Sequence, residues 1–267
     1  MAFTLTEKDG LGWTTTDTLG TKHMFTRRLG GVGEFPYTSN PDPLWEAPER
    51  QVRVRELWKT LRAAGGFPDE GFCFTRQVHG TVIRRVGAAD RTMPPLGVRP
   101  EDCDGLITSE PNVPICVFTA DCVPVLFHEP DALIVCAVHS GWKGTVHDMM
   151  GAAVRAVEEL GGRREALRAA IGPCISRCCF ETGPEVKQAV EALLGADAEG
   201  LCPPEDGVPG KYMVDLKETN RRRLLQLGVR AENIDVSPDC TKCMSDVYWS
   251  HRATGGHRGT MASIIML

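Results

Sequence analysis

One domain that mixes strands and helices without a clean parallel alternation is the fold class this sequence predicts. Three observations carry the prediction. The 267 residues suit one large domain or two small ones and can bury a sizeable core. No repeat, low-complexity tract or obvious linker divides them. Strand-like and helix-like stretches are intermixed along the chain rather than segregated.

Taken in order, the alternating stretches FCFTRQVHG (72–80) and TVIRRVG (81–87) read as strands. PICVFTA (114–120) and VPVLFHE (123–129) are two more, joined through Ala120, Asp121 and Cys122. LIVCAVH (133–139) is a nearly continuous apolar run, the pattern of a central strand buried on both faces. After it, Val146, Met149, Met150, Ala153, Val154 and Val157 recur at helical spacing, with Thr145 placed to cap the helix and the glycine pair 161–162 to stop it. A second helix is expected over 183–194 and a third over 215–228, followed by a short strand at 233–237 and a last one at 261–267. Arginines 221–223 fall on the polar side of Leu224, Leu225 and Leu227 and read as a solvated face. The Pro-rich stretches 91–102 and 201–210 read as loops inserted between elements.

Composition narrows the function. A net charge of -5 argues against nucleic-acid binding, which needs a basic stripe. No apolar run is long enough to span a bilayer, and the N-terminus has neither the basic nor the apolar part of a secretory signal. Eleven cysteines, an odd number scattered through apolar strands, predict reduced thiols in a cytoplasmic protein.

Chemistry gathers at three positions. The run 133–139 ends on a histidine and enters the compact loop SGWKGT, where a core strand has no use for an imidazole. His79, Cys122 and His139 each follow or interrupt strand-like sequence, which is how side chains from separate strands converge. Two imidazoles and a thiolate make a zinc set with a fourth position open, as catalytic sites have. The signatures of zinc peptidases, nucleobase deaminases, Rossmann folds and P-loops are missing. Cys240 and Cys243 form a lone CxxC that Cys174, Cys178 and Cys179 could complete as a structural zinc site; plain reduced thiols are the simpler reading.

FTRRLGGV (25–32), QVHG (77–80), TADCVPVLF (119–127), VHSGWKGT (138–145), IGPCIS (171–176) with CFETG (179–183), CT at 240–241 and GTMASIIML (259–267) resemble the YfiH/YlmD family in order. The resemblance runs from about residue 23 to the C-terminus. This family, once labelled polyphenol oxidase or laccase-like, is linked to purine nucleoside chemistry. The resemblance implies an α+β fold, a single domain over 1–267 with central mixed β-sheets flanked by helices, similar to the catalytic region of cytotoxic necrotizing factor. Carried over by motif, zinc ligands fall on His79, Cys122 and His139, with copper a less favoured occupant. The family's N-terminal arginine falls on Arg28, followed by LGG (29–31). The implied activities are phosphorolysis of adenosine, inosine and 5′-methylthioadenosine, and deamination of adenosine. Phe180 stands where the family carries tyrosine, and Gly259 separates Arg258 from Thr260. Both departures fall on C-terminal pocket contacts.

On this reading, water acidified at the ion attacks C6 of adenosine. Cys122 must be a thiolate to bind metal. Asp121 is a supporting partner or proton acceptor, with a solvated turn aspartate as the plain alternative. Phosphate, the co-substrate, must be aimed at C1′, and a helix start after SGWKGT suits an anion. Lys143 and Arg28 are the cations expected near it, with Arg258 a third, while Gly141 and Gly144 allow close backbone approach. Trp142 reads as a packing wedge, and His147 as exposed or capping. Expected partners are purine nucleosides and phosphate, with no nucleic acid or membrane, and the expected state is a monomer. Three rivals stand beside this. A cysteine amidase editing peptidoglycan precursors would use Cys122 as nucleophile beside a histidine. A copper polyphenol oxidase would need more histidines than the seven present. A binding module would treat the metal as structural, which a fourth protein ligand would normally close.

Overall fold

Fourteen strands and six helices are formed by the residues that the computed structural model describes, 3–28, 48–93 and 101–267. The LGG segment (29–31) and most of the first Pro-rich loop (94–100) lie outside the described residues. In chain order the elements are β1 (Thr4–Lys8), β2 (Leu11–Thr15), β3 (Lys22–Thr26), α1 (Pro48–Gly65), β4 (Cys73–Phe74), β5 (Ile83–Arg85), β6 (Gly105–Thr108) and β7 (Ile115–Thr119). They continue with β8 (Val123–Glu129), β9 (Ile134–Ser140), α2 (Trp142–Val146), α3 (Met149–Glu159), β10 (Arg168–Ile171), β11 (Glu181–Thr182) and α4 (Pro184–Leu194). The last are β12 (Tyr212–Met213), α5 (Leu216–Gln226), β13 (Ile234–Val236), α6 (His251–Thr254) and β14 (Met261–Met266).

Two six-stranded sheets form, one ordered β1-β2-β3-β14-β7-β4 and the other β13-β10-β8-β9-β6-β5; β11 and β12 pair separately. Parallel pairs (β4–β7, β5–β6, β10–β13) sit among antiparallel ones, so both sheets are mixed. Side-chain alternation sets the layers. Along β9, Ile134, Cys136 and Val138 pack toward the helices, whereas Val135 and Ala137 pack between the sheets. Every residue of β8 and β9 is buried, as the continuous apolar run predicts. The inter-sheet core holds Phe25, Leu106, Ile115, Val117, Leu126 and Ile265. Beyond the first sheet, Trp58 of α1 meets Phe72, Phe74 and Phe118 edge-on, with centroids 5.0, 5.2 and 6.1 Å apart. Against the outer face of the second sheet lie α3, α4 and α5, through Val154, Val157, Val190 and Leu224. The order is helix, sheet, sheet, helices. Among the described residues, no helix is long and apolar enough to cross a membrane.

Two expectations are corrected. The segment after β9 is not one helix capped by Thr145. It begins with the five-residue α2, whose N-cap is Gly141. The chain then breaks at Asp148, in the left-handed region (φ 67°), before α3. Thr145 is buried inside α2 and bonds Ser140 at 2.9 Å and Asn220 at 3.1 Å; His147 is the exposed C-cap of α2. The arginine run is not a solvated face either. Arg222 donates to the carbonyls of Asp197 (2.6 Å) and Glu199 (2.8 Å), and Arg223 grips both oxygens of Asp148 at 2.9 Å. Through these bonds Arg222 and Arg223 pin α5 to its neighbours, while Arg221 pairs with Glu218 of its own helix at 3.2 Å.

Asp148 therefore both caps α3, accepting from the Gly151 amide at 3.0 Å, and holds α5. Asp148→Ala is expected to destabilise the fold by about 2–3 kcal/mol, since the cap, the bidentate pair and tolerance of the left-handed backbone go together. Asp148→Asn keeps the cap and the backbone preference and should lose only about 1 kcal/mol. Urea midpoints of the two variants check this. Burial pushes the Asp148 carboxyl up, but Arg223 and the Gly151 amide hold it below the usual carboxylate range. The charge contribution is thus present above the unfolded carboxylate pKa and lost as pH falls through the folded one.

Candidate active site

Strand pairing brings the chemistry to one end of the second sheet. In the β8–β9 hairpin Val123 lies opposite Ser140 and Pro124 opposite His139, so Cys122, just before β8, arrives beside His139. In the β6–β9 pair Gly105 lies opposite Val138, so Asp104, just before β6, arrives there too, and its carbonyl accepts the His139 amide at 2.7 Å. Pairing of β5 with β6, Ile83 opposite Gly105, brings in the loop that precedes β5. His79 is on that loop, exposed and in the left-handed region (φ 62°), not at a strand end as the sequence suggests. Its conformation is held by the carboxylate of Asp104, which accepts the amides of Val78 (3.1 Å), His79 (2.9 Å) and Gly80 (2.7 Å).

Asp104 is fully buried and also takes His139 Nδ1 at 2.8 Å. With Nδ1 committed as the donor, Nε2 is the ring nitrogen left for the site. The rings of His79 and His139 stand edge to face, centroids 4.9 Å apart, and His79 Nε2 is 3.9 Å from Cys122 Sγ. One donor atom from each of His79, Cys122 and His139 lies within 4.8 Å of the others. That spacing and donor set fit one divalent ion at about 2.0–2.3 Å from each. Burial alone would push the Cys122 thiol up, but the charge and hydrogen bonds of His139, then His79, bring it down to about 6. Burial likewise opposes a charged His139, yet Cys122 and Asp104 raise it to about 9. Burial raises the Asp104 carboxyl less than His139 and the loop amides lower it. The pair is a thiolate beside an imidazolium, and an ion bound there would replace the imidazolium proton.

Gly141 and Gly144 are explained by close approach, Gly141 to the side chains of His79 and Cys122 and Gly144 to backbone carbonyls, rather than by approach to an anion. A Cβ on Gly141 would stand 2.9 Å from His79 Cδ2 and 3.0 Å from Cys122 Sγ, and one on Gly144 would stand 3.2 Å from the Gly80 carbonyl. A cavity of about 80 Å³ opens at the three side chains, walled by Thr75, Gln77, Phe118, Thr119, Arg258 and Thr260. It lies where the ends of the two sheets face each other. Arg258, half-buried, has its guanidinium pushed below its ordinary value by burial, against the pull of Cys122 and Asp121.

The other expected cations are not on this wall. Arg28 donates to the Ser245 carbonyl at 2.6 Å and lies 4.1 Å from the Trp249 ring centroid. Lys143 is exposed, 5.8 Å from the Trp142 ring, while Trp142 packs against the helix-side core as a wedge. With only five residues, α2 gives an anion little dipole to bind. Asp121 (φ 87°) is buried and accepts from Thr241 Oγ1 (2.6 Å), Ser250 Oγ (3.1 Å) and the Arg252 amide (2.7 Å). Those bonds suit an anchor for the chain entering Cys122 better than a proton acceptor. Asp104 was missed in the sequence: an acid before a four-residue strand, in EDCDGL (101–106), carries no pattern of its own.

Comparison with known proteins adds likenesses of sequence and of fold. A family model described as "Multi-copper polyphenol oxidoreductase laccase" matches residues 22–267. Purine nucleoside phosphorylase YlmD of Geobacillus stearothermophilus is 35% identical over 247 residues, 90% of this chain and 88% of that protein. The crystal structure of YlmD from the same species covers 99% of this chain and 98% of its own, with a TM-score of 0.85 and 31% identity. Adenosine deaminase RL5, from an unknown prokaryotic organism, is 32% identical over 214 residues, 78% of this chain and 79% of that protein.

Proposed function

The chain belongs to the family described as multi-copper polyphenol oxidoreductase laccase, and we propose that within it the chain is a zinc-dependent purine nucleoside phosphorylase that also deaminates adenosine. The observation that carries this is the His79–Cys122–His139 set at the cavity floor, in a chain similar over most of its length to proteins named for these two reactions. The substrates proposed are adenosine, inosine and 5′-methylthioadenosine. Two imidazoles and one thiolate with a corner to spare favour zinc. An ion bound there supplies Lewis acidity to the oxygen or nitrogen it meets.

The rest falls to the protein's own groups. Asp104 fixes the His139 ring and the His79 loop, so the donors are set before substrate arrives. Some 80 Å³ is too small for a whole nucleoside, so the cavity takes the reacting end and the remainder lies toward the mouth. Arg258 is the cation on the wall and faces phosphate in phosphorolysis. There a phosphate oxygen bonds C1′ as the bond from C1′ to the base breaks, and the departing base takes up a proton. In deamination, water oxygen replaces the C6 amino group, which leaves as ammonia. All three ligands come from one chain, so a monomer suffices, and eleven unpaired thiols suit the cytoplasm.

One observation favours a second reading. A thiol at about 6 beside two histidines is a ready nucleophile when no metal is bound, as a cysteine amidase requires. Iodoacetamide separates the two, labelling Cys122 quickly in a metal-free nucleophile and slowly in a bound thiolate. Polyphenol oxidation fits worse. Of the seven histidines only His79 and His139 share the site, and His128 Nδ1 is taken by the Leu19 carbonyl and His23 by the Thr16 amide and the Thr21 carbonyl.

The deciding experiment incubates metal-assayed protein with adenosine, with and without phosphate. Adenine and ribose 1-phosphate are expected only with phosphate, and inosine in either case. Neither product from fully loaded protein overturns the proposal and points to the amidase.

A further inference from the structure

Four cysteines outside the cavity come together. Cys178 and Cys179 are in the turn between β10 and β11, and Cys240 and Cys243 in the turn after β13. Their Sγ atoms all lie within 4.8 Å of one another. Cys243 Sγ is 3.5 Å from Cys178 Sγ and 3.4 Å from Cys179 Sγ. Four sulfurs about 2.3 Å from a tetrahedral ion stand about 3.8 Å apart, close to this arrangement. Cys174, grouped with them on sequence, adjoins Cys240 through the backbone, but its thiol is outside the cluster, buried and on the Ile175 carbonyl at 3.3 Å.

Apolar packing, a disulfide and an iron–sulfur cluster each suit these four thiols less well. Core packing does not place thiols where Cys178 and Cys243 are exposed. A disulfide needs two sulfurs about 2.05 Å apart, and Cys243 is nearly equidistant from two partners. An iron–sulfur cluster divides its four thiolates between two or four irons, which spreads the sulfurs wider than these. The Ser176 amide donates to Cys240 Sγ at 3.4 Å, the kind of outer hydrogen bond that supports a thiolate ligand.

We infer that Cys178, Cys179, Cys240 and Cys243 bind one zinc ion as a closed tetrathiolate site, separate from His79, Cys122 and His139. With no open position its role is structural. It clamps the two turns that hold Asp121. Thr241, next to Cys240, donates its hydroxyl to Asp121 at 2.6 Å and its amide to the Cys174 carbonyl at 3.1 Å, and the Ile175 amide donates to the Asp121 carbonyl at 3.0 Å. The second ion thereby steadies the residue that leads into Cys122.

Metal analysis of the full-length chain, purified under reducing conditions, tests this. Wild type is expected to hold about two zinc ions per chain and Cys122→Ala about one. Cobalt exchanged into Cys122→Ala should give the strong visible bands of tetrathiolate coordination. Cys243→Ser should hold about one ion, at the other site, without those bands. Cobalt-loaded Cys122→Ala lacking the bands overturns the proposal. So does equal alkylation of the four thiols with zinc and after chelation, a disulfide among them, or iron with sulfide in their place. These readouts need no activity, so they stand apart from the proposed function. If Cys243→Ser fails to fold, the spectrum of Cys122→Ala still decides.

Discussion

Asp104→Ala is expected to lose the proposed zinc and much of the fold's stability together. The side chain has no exposed surface and accepts three loop amides and the His139 ring, so its removal leaves four buried or half-buried donors without a partner. At about 1 kcal/mol or more for each orphaned donor, the variant should be destabilised by about 3–5 kcal/mol. Asp104→Asn is the sharper probe, because it preserves shape and one acceptor. Its amide group faces donors it cannot satisfy, and a neutral partner supports His139 less. Zinc affinity should fall by about 10–100-fold, with smaller destabilisation. A chelator-competition titration beside a urea melt measures both. Wild-type zinc affinity in a folded Asp104→Asn would remove Asp104 from the account of the site.

Cys122→Ser is expected to abolish both phosphorolysis and deamination, by about 10³-fold or more, the scale on which loss of a principal charge-stabilising group acts. The hydroxyl cannot ionise near neutral pH, so one of the three proposed ligands is gone while the fold keeps its packing. Stability should change by less than about 1 kcal/mol. Wild type carries its own signature of the thiolate. With Cys122 brought to about 6 and His139 to about 9, the ion-free pair at neutral pH holds one proton on His139 that an ion must displace. Zinc uptake should release that proton, and affinity should rise with pH until His139 titrates near 9. Loss of both activities in Cys122→Ser with zinc still held by His79 and His139 would mean that the thiolate itself acts on substrate.

What could be read in the sequence depended on whether burial or contact decides the element. The β8–β9 hairpin is buried on both faces, so its apolar runs announce it, and a histidine or cysteine at its end stands out. The position of His79 follows from three amides bonded to an acid 25 residues away, which no local pattern contains. Asp148, at the break, is held by Arg223 from another helix, and the partners of the arginine run likewise lie outside its local pattern. The N-terminal elements β1, β2, β3 and α1 all escaped notice, and in β1 and α1 the pattern is weak. β1 is an edge strand with four of its five residues exposed, and Trp58 and Leu61 are the buried apolar residues of α1 among its described side chains. The cysteines of the second cluster were visible as residues, but not which four of five would meet.

The C-terminal strand has a consequence for biosynthesis. β14 is threaded between β3 and β7, bonded to both, so the first sheet remains in two pieces until residues 261–266 have left the ribosome. Arg258 and Thr260, which immediately precede β14, complete the cavity wall at the same moment. A nascent chain can carry His79, Cys122 and His139 and still lack an enclosed site, which forms only once β14 has paired.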